Sequence, residues 1–206
     1  ACYGEGGLGY TLGRVHMDSC DFSLENYCAV TSPDDPAFGD FSLKRDAQYV
    51  QPLVKRVFAA AGKPVGLLLS PWSPPAFMKE TGVRNGGGHL KPDCYQAYAS
   101  YIVRYLTEYE KARIPIRFMT VQNEPLAVQT WDSCEYTPQE EKTFLKDFLY
   151  PALQENGLGH IGIYIWAHNK ERVYERTRDI VDETTKNMIE GVAYHWYSGD
   201  DFETLS

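Results

Sequence analysis

Five short apolar runs, each bounded by a breaker and separated by stretches of helical periodicity, constrain this 206-residue chain more than any other feature. The runs are residues 10–17, 65–70, 116–122, 161–167 and 192–197. Strands covered on both faces of a sheet read as near-continuous apolar segments of this kind. Between them, residues 43–61 carry Leu43, Ala47, Val50, Val54, Val57 and Ala61 on one stripe. Residues 92–112 do the same with Tyr95, Tyr98, Ala99, Ile102 and Leu106, as amphipathic helices should. Ser42 is placed to cap the first of these helices and Gly62 to end it. Residues 137–156 open with Thr137-Pro138-Gln139-Glu140, a capping box with proline at the first helical position. A more charged helix is expected over residues 171–188. Strand and helix alternating in this way mean βα units on a parallel sheet.

Two architectures satisfy that pattern, a doubly wound open sheet and a (β/α)₈ barrel. No GxGxxG follows the first strand, which weakens the dinucleotide-binding form of the open sheet. The glycines at Asn85-Gly86-Gly87-Gly88-His89 follow no strand and lack a Lys-Ser/Thr end, so they are read as a mobile surface loop. The unusual polar and aromatic residues cluster at or just after strand ends: Asp18 to Ser23, Trp72 and Ser73, Asn123 and Glu124, His168 and Asn169, and His195 to Tyr197. A barrel collects its chemistry on that face. The expectation is therefore an α/β fold, a partial (β/α)₈ TIM barrel in a single incomplete domain over 1–206. A full barrel needs eight units, and five strands are visible. Open sheet edges at both ends predict self-association.

Composition narrows the partners. The net charge is −8 and there is no basic run, which argues against nucleic acid or an anionic membrane surface. Aromatic residues make up 14% of the chain, which suits a bulky core and also a cleft where flat rings stack on sugars. The five cysteines are irregularly spaced with no CxxC pair, so no metal site or disulfide framework is expected. Free thiols and the lack of a recognisable leader favour a cytoplasmic setting but leave the compartment open. No run is long and apolar enough to span a bilayer. Residues 1–9 read as an interior stretch.

The most informative segment is Met119-Thr120-Val121-Gln122-Asn123-Glu124-Pro125. An apolar strand ends in a carboxylate, and proline fixes the exit of the loop. A glycosidase general acid needs a carboxyl whose site raises its pKa towards operating pH. It protonates the leaving oxygen and later takes a proton from water. Asn123 beside it offers an amide for a sugar hydroxyl. A loop glutamate in a surface ion pair is the plain alternative.

Four ordered segments then carry a resemblance. They are Gly9-Tyr10-Thr11-Leu12-Gly13-Arg14-Val15-His16-Met17 running into Asp18-Ser19-Cys20-Asp21-Phe22-Ser23; Ser70-Pro71-Trp72-Ser73-Pro74-Pro75-Ala76-Phe77-Met78-Lys79; Gln122-Asn123-Glu124-Pro125; and Ala193-Tyr194-His195-Trp196-Tyr197. Over nearly its whole length the chain resembles glycoside hydrolase family 30, the glucosylceramidase and bacterial β-glucosidase/β-xylosidase group. The resemblance implies a barrel with an attached β-sandwich, retention at the anomeric carbon, an acid/base glutamate after strand 4 and a nucleophilic glutamate after strand 7. The five strands would be strands 2 to 6. Glu124 matches the acid/base; the nucleophile and the β-sandwich have no counterpart in 1–206.

By the same resemblance Asp21 and Trp72 contact the sugar, and His195 and Trp196 line the pocket. Tyr197 reaches towards the missing nucleophile, and Arg14 orients carboxylates. Turn capping and core packing are the plain roles for these residues. Where many relatives place an aspartate after Ile165-Trp166, this chain has Ala167, which puts in doubt a salt bridge from Arg14 to that strand. No cofactor is implied. The implied substrate is a β-linked glycoside or glycolipid: β-glucoside, glucosylceramide, β-xyloside and β-1,6-glucan all remain open. Residues 1–206 alone are expected to hydrolyse nothing. A non-catalytic sugar-binding barrel remnant is the competing function, and a doubly wound hydrolase is disfavoured by the lack of a G-x-S-x-G elbow.

Overall fold

The computed structural model describes residues 2–32, 38–200 and 202–205; Ala1 and Ser206, at the ends of the stretches read above, lie outside them. Its core is a five-stranded parallel sheet in the order β1-β2-β3-β4-β5. The strands are β1 (Leu12–Met17), β2 (Gly66–Pro71), β3 (Phe118–Thr120), β4 (Gly162–Asn169) and β5 (Gly191–His195). Each strand pairs with the next in sequence: Leu12 with Gly66, Leu68 with Phe118, Phe118 with Gly162, and Tyr164 with Gly191. A doubly wound sheet reverses its strand order at a switch point. This one never reverses, as the wall of a barrel requires.

The connecting helices are α1 (Lys44–Gln48), α2 (Val50–Ala61), α3 (Tyr95–Lys111), α4 (Pro138–Phe144), α5 (Tyr150–Glu155), α6 (Val173–Ile180) and α7 (Phe202–Leu205). The best buried is α3. Its residues Tyr98, Tyr101, Ile102, Tyr105, Leu106 and Tyr109 are inaccessible to solvent and join Met17, Leu69, Met119 and Ile165 in one core. Much of the tyrosine content therefore fills the core. No helix among the described residues is long and apolar enough to cross a membrane. All five cysteines are free thiols.

Several local expectations change. The first helix breaks at Tyr49 (φ −121°, ψ −52°) into α1 and α2. Pro52 explains the break, because it cannot donate to the carbonyl of Gln48 and its ring crowds that carbonyl. The capping position falls on Leu43 rather than Ser42; Ser42 Oγ, one residue earlier, still accepts the first helical N–H, that of Lys44, at 3.3 Å. Gly62 does end α2, in the left-handed conformation (φ 69°). The capping box at Thr137 is present in both directions. The helix it opens widens into a π turn over Leu145–Leu149, ahead of Pro151, which leaves the carbonyl of Asp147 without its i+4 donor.

The charged helix stops at Ile180. Asp182 competes for the backbone there: its Oδ1 accepts from Thr184 N at 2.8 Å and Thr184 Oγ1 at 2.6 Å. The glycine stretch is tied down rather than mobile. Gly86 N donates to Gln129 O (2.8 Å), Gly87 N to Ser133 Oγ and Gly88 N to Glu135 Oε2 (both 2.9 Å). All three glycines have positive φ, and a Cβ on Gly87 would meet Glu135 Oε2 at 2.6 Å.

Candidate active site

The carboxyl ends of the five strands open onto one cavity of about 1030 Å³. Every residue singled out from the sequence lines it: Arg14 from β1, Asp21 just after it, Trp72 after β2, Asn123 and Glu124 after β3, and His195, Trp196 and Tyr197 at and beyond the end of β5.

Glu124 sits in the left-handed region (φ 46°), a conformation a residue with a Cβ keeps only when its surroundings impose it. Its backbone N–H donates to Ala167 O at 3.0 Å, and that of Asn123 to Pro71 O at 2.8 Å. The turn is thus gripped by the strands on both sides. The Glu124 side chain is 18% exposed, and its Oε1 lies 2.9 Å from His195 Nδ1. The hydrogen bond from His195 holds the carboxyl below the ordinary carboxylate range. Burial opposes this, and the charges of His195, His168 and Arg14 reinforce it. The sequence expectation was a site that raises this pKa. The direction is reversed because the histidine bond outweighs desolvation of a half-buried group. With Glu124 ionised, His195 Nδ1 must be the donor; its Nε2 is buried with no hydrogen-bond partner among the described residues.

Arg14 organises the neighbouring face. Its Nε donates to Ser70 Oγ (2.9 Å) and its Nη2 to Asn123 Oδ1 (2.7 Å), while the guanidinium lies 4.8 Å from the centre of the Trp72 ring. Burial lowers its pKa, against the raising effect of Glu124 and Asp21; a guanidinium stays charged regardless. These bonds run to β2 and to the loop after β3, in keeping with Ala167 standing where an aspartate was expected on β4. Because a guanidinium only donates, the Asn123 oxygen must face it, which leaves the amide N–H₂ to donate elsewhere. Gln122 Nε2 ties the same turn to Trp72 O (2.8 Å).

Among the described residues, Asp21 and Glu124 are the carboxylates that line the cavity. Asp21 is exposed. Trp196 is 76% exposed, with its ring 4.7 Å from that of Tyr197. Tyr197 packs edge-on against His195 at 6.3 Å.

His168, Gln129, Trp131 and Lys170 also line the cavity; the sequence marked His168 only as a strand-end polar residue without a role in the site, and the other three not at all. His168 ends a strand beside Asn169, which was a visible cue. Its Nδ1 accepts from Asn169 N at 2.8 Å, so the neutral ring carries its proton on Nε2. Burial lowers its pKa, and Glu124 acts in the opposite direction. Gln129 and Trp131 belong to the long loop between β3 and α4, where no periodicity marks them.

A buried ionic cluster lies behind the rim. Arg84 Nε bonds Asp132 Oδ1 at 2.6 Å, and its Nη1 lies 3.6 Å from Asp18 Oδ2. Ser19 Oγ donates to Asp132 Oδ1 (2.8 Å), and Tyr101 donates to Asp18. Burial pushes the Asp18 carboxyl up to about 7 in spite of Arg84. The cluster joins the loop after β1, which carries Asp21, to the loop that carries Trp131.

Comparison with known proteins agrees with this geometry. The model of the glycosyl hydrolase family 30 TIM-barrel domain matches residues 1–205. The chain is 30% identical over 202 residues to the lysosomal acid glucosylceramidase of Mus musculus, covering 93% of this chain and 39% of that protein. It therefore spans about two-fifths of the length of the curated relatives it matches. Among solved structures it is similar to SrfJ from Salmonella typhimurium (TM-score 0.92, 42% identity, 97% of this chain and 45% of that one). It is also similar to the endo-β1,6-glucanase BT3312 (TM-score 0.84, 28% identity, 98% of this chain and 46% of that one).

Proposed function

From the premise that the chain belongs to glycosyl hydrolase family 30, we propose that it forms part of a retaining β-glucosidase of the glucosylceramidase type, with Glu124 as general acid/base. The observation that carries this reading is the meeting of the Glu124 carboxyl, the Asn123 amide, the Arg14 guanidinium and the rings of Trp72 and Trp196 in one cavity. The first half-reaction moves a proton from Glu124 to the leaving oxygen as a second carboxylate bonds the anomeric carbon. In the second, Glu124 takes a proton from water as water displaces that carboxylate. The nucleophile is assigned to a glutamate outside residues 1–206. Asn123, oriented by Arg14, donates to a sugar hydroxyl. Asp21 accepts from others, and Trp72 and Trp196 cover the sugar's C–H face.

Glucosylceramide is the first substrate to try and β-1,6-glucan the second, since similar proteins carry those names. One observation favours a non-catalytic sugar-binding barrel instead: His195 Nδ1 lies 2.9 Å from Glu124 Oε1 and favours its ionised form, whereas an acid needs a proton. The test is the anomeric configuration of the first product released from an aryl β-glucoside by the full-length protein, followed by proton NMR. Release of the β-anomer first supports the proposal. The α-anomer would mean inversion, and binding without turnover would support the alternative.

A further inference from the structure

We propose that the buried ion pair between Glu141 and Arg176, on helices behind the sheet, is a positioning device for Glu124. The inference rests on the reading of Glu124 as acid/base and adds two residues to it that no sequence motif marks.

The pair sits between α4 and α6, with side chains 0% and 3% exposed. Glu141 Oε2 accepts from Arg176 Nε (2.9 Å) and Nη2 (2.7 Å). Its other oxygen accepts the backbone N–H of Trp166 at 3.0 Å. Trp166 and Ala167 are both left-handed (φ 73° and 46°), and the register of β4 slips between Trp166 and His168. A tryptophan and an alanine do not hold that conformation unaided. Once the strand has kinked, the Trp166 N–H is directed out of the ladder, and the Glu141 carboxylate receives it. The kink aims Ala167 O at the Glu124 N–H, 3.0 Å away. The Trp166 ring also stacks 5.0 Å from that of His168, a cavity residue.

Arg176 holds the opposite side of the same turn. Its Nη2 donates to Tyr136 O (2.7 Å), and Tyr136 N donates to Pro125 O (2.9 Å). The bond at the Glu124 N–H and the bond at the Pro125 carbonyl therefore both lead back to the same ion pair, the first through Ala167 and Trp166 and the second through Tyr136. A buried ion pair is weak evidence for stability; here its geometry sets a turn.

The test compares the wild-type full-length protein with Glu141→Gln and Arg176→Lys. The lysine keeps the charge and loses the fork that spans Glu141 and Tyr136. The substrates are phenyl β-glucoside, whose leaving group needs a proton, and 2,4-dinitrophenyl β-glucoside, whose leaving group does not. A misplaced acid predicts a drop in kcat/KM of about 10- to 100-fold on the first and below about threefold on the second. Equal losses on both, or none on either, would overturn the proposal. Glu124→Gln, measured alongside, tests the underlying assignment: if it lacks the same selectivity, that reading fails separately. The clamp is then judged by hydrogen exchange of the Glu124 and Trp166 amides. These should exchange at least about tenfold faster in both variants while β1 and β2 keep their protection; unchanged rates at the two amides would refute it.

Discussion

His195 Nδ1 lies 2.9 Å from Glu124 Oε1, and this contact outweighs burial in setting the charge of the carboxyl. The two residues are 71 positions apart and come from strands on either side of β4. Removing the imidazole leaves burial as the main influence, so Glu124 should keep its proton to higher pH. The alkaline limb of kcat/KM reports loss of that proton in the free enzyme. In the full-length protein, His195→Gln should move this limb upward. A pH profile with an unmoved or lowered limb would contradict the assignment.

Arg14 bridges Ser70 and Asn123 while covering Trp72. A lysine cannot make both bonds from one planar fork. Arg14→Lys should lower kcat/KM on an aryl β-glucoside by about 10- to 100-fold, the equivalent of one or two hydrogen bonds to a charged group. Steady-state kinetics with a melting curve would separate this loss from unfolding.

Asp18 should make stability depend on pH. Its folded pKa of about 7 lies above the ordinary value near 4 of an unfolded chain. The folded state therefore binds the extra proton, and stability falls as pH rises from about 4 to about 7. The groups around it are Arg84, Tyr101 and Asp46. Asp18→Asn should flatten the decline in melting temperature over that window; an unchanged slope would place its origin elsewhere.

The strands and the barrel-like order were legible because parallel strands buried on both faces advertise themselves as apolar runs, and polar residues at their carboxyl ends mark one rim. Asp21, Trp72, Asn123, Glu124, His195, Trp196 and Tyr197 could be placed on that rim by their position at strand ends, whereas Arg14, inside the first run, was reached only through the family resemblance. Two helix interruptions followed from Pro52 and Pro151, visible residues whose effect falls four positions earlier. The kink at Trp166–Ala167 was not legible, since neither residue favours a left-handed backbone. Its support comes from Glu141, 25 residues away. The lowered pKa of Glu124 was hidden for the same reason: its cause is a contact made by the fold.

Replacing Glu124 by alanine in the full-length protein and adding azide tests the central claim most directly. Azide needs no proton removed and can attack the glycosyl–enzyme from the face the carboxyl has vacated. Turnover of phenyl β-glucoside should fall by about 10²- to 10⁴-fold. With 2,4-dinitrophenyl β-glucoside, azide should speed turnover and give β-glucosyl azide. Wild-type rates on the phenyl glucoside, or no β-azide product, would contradict the account.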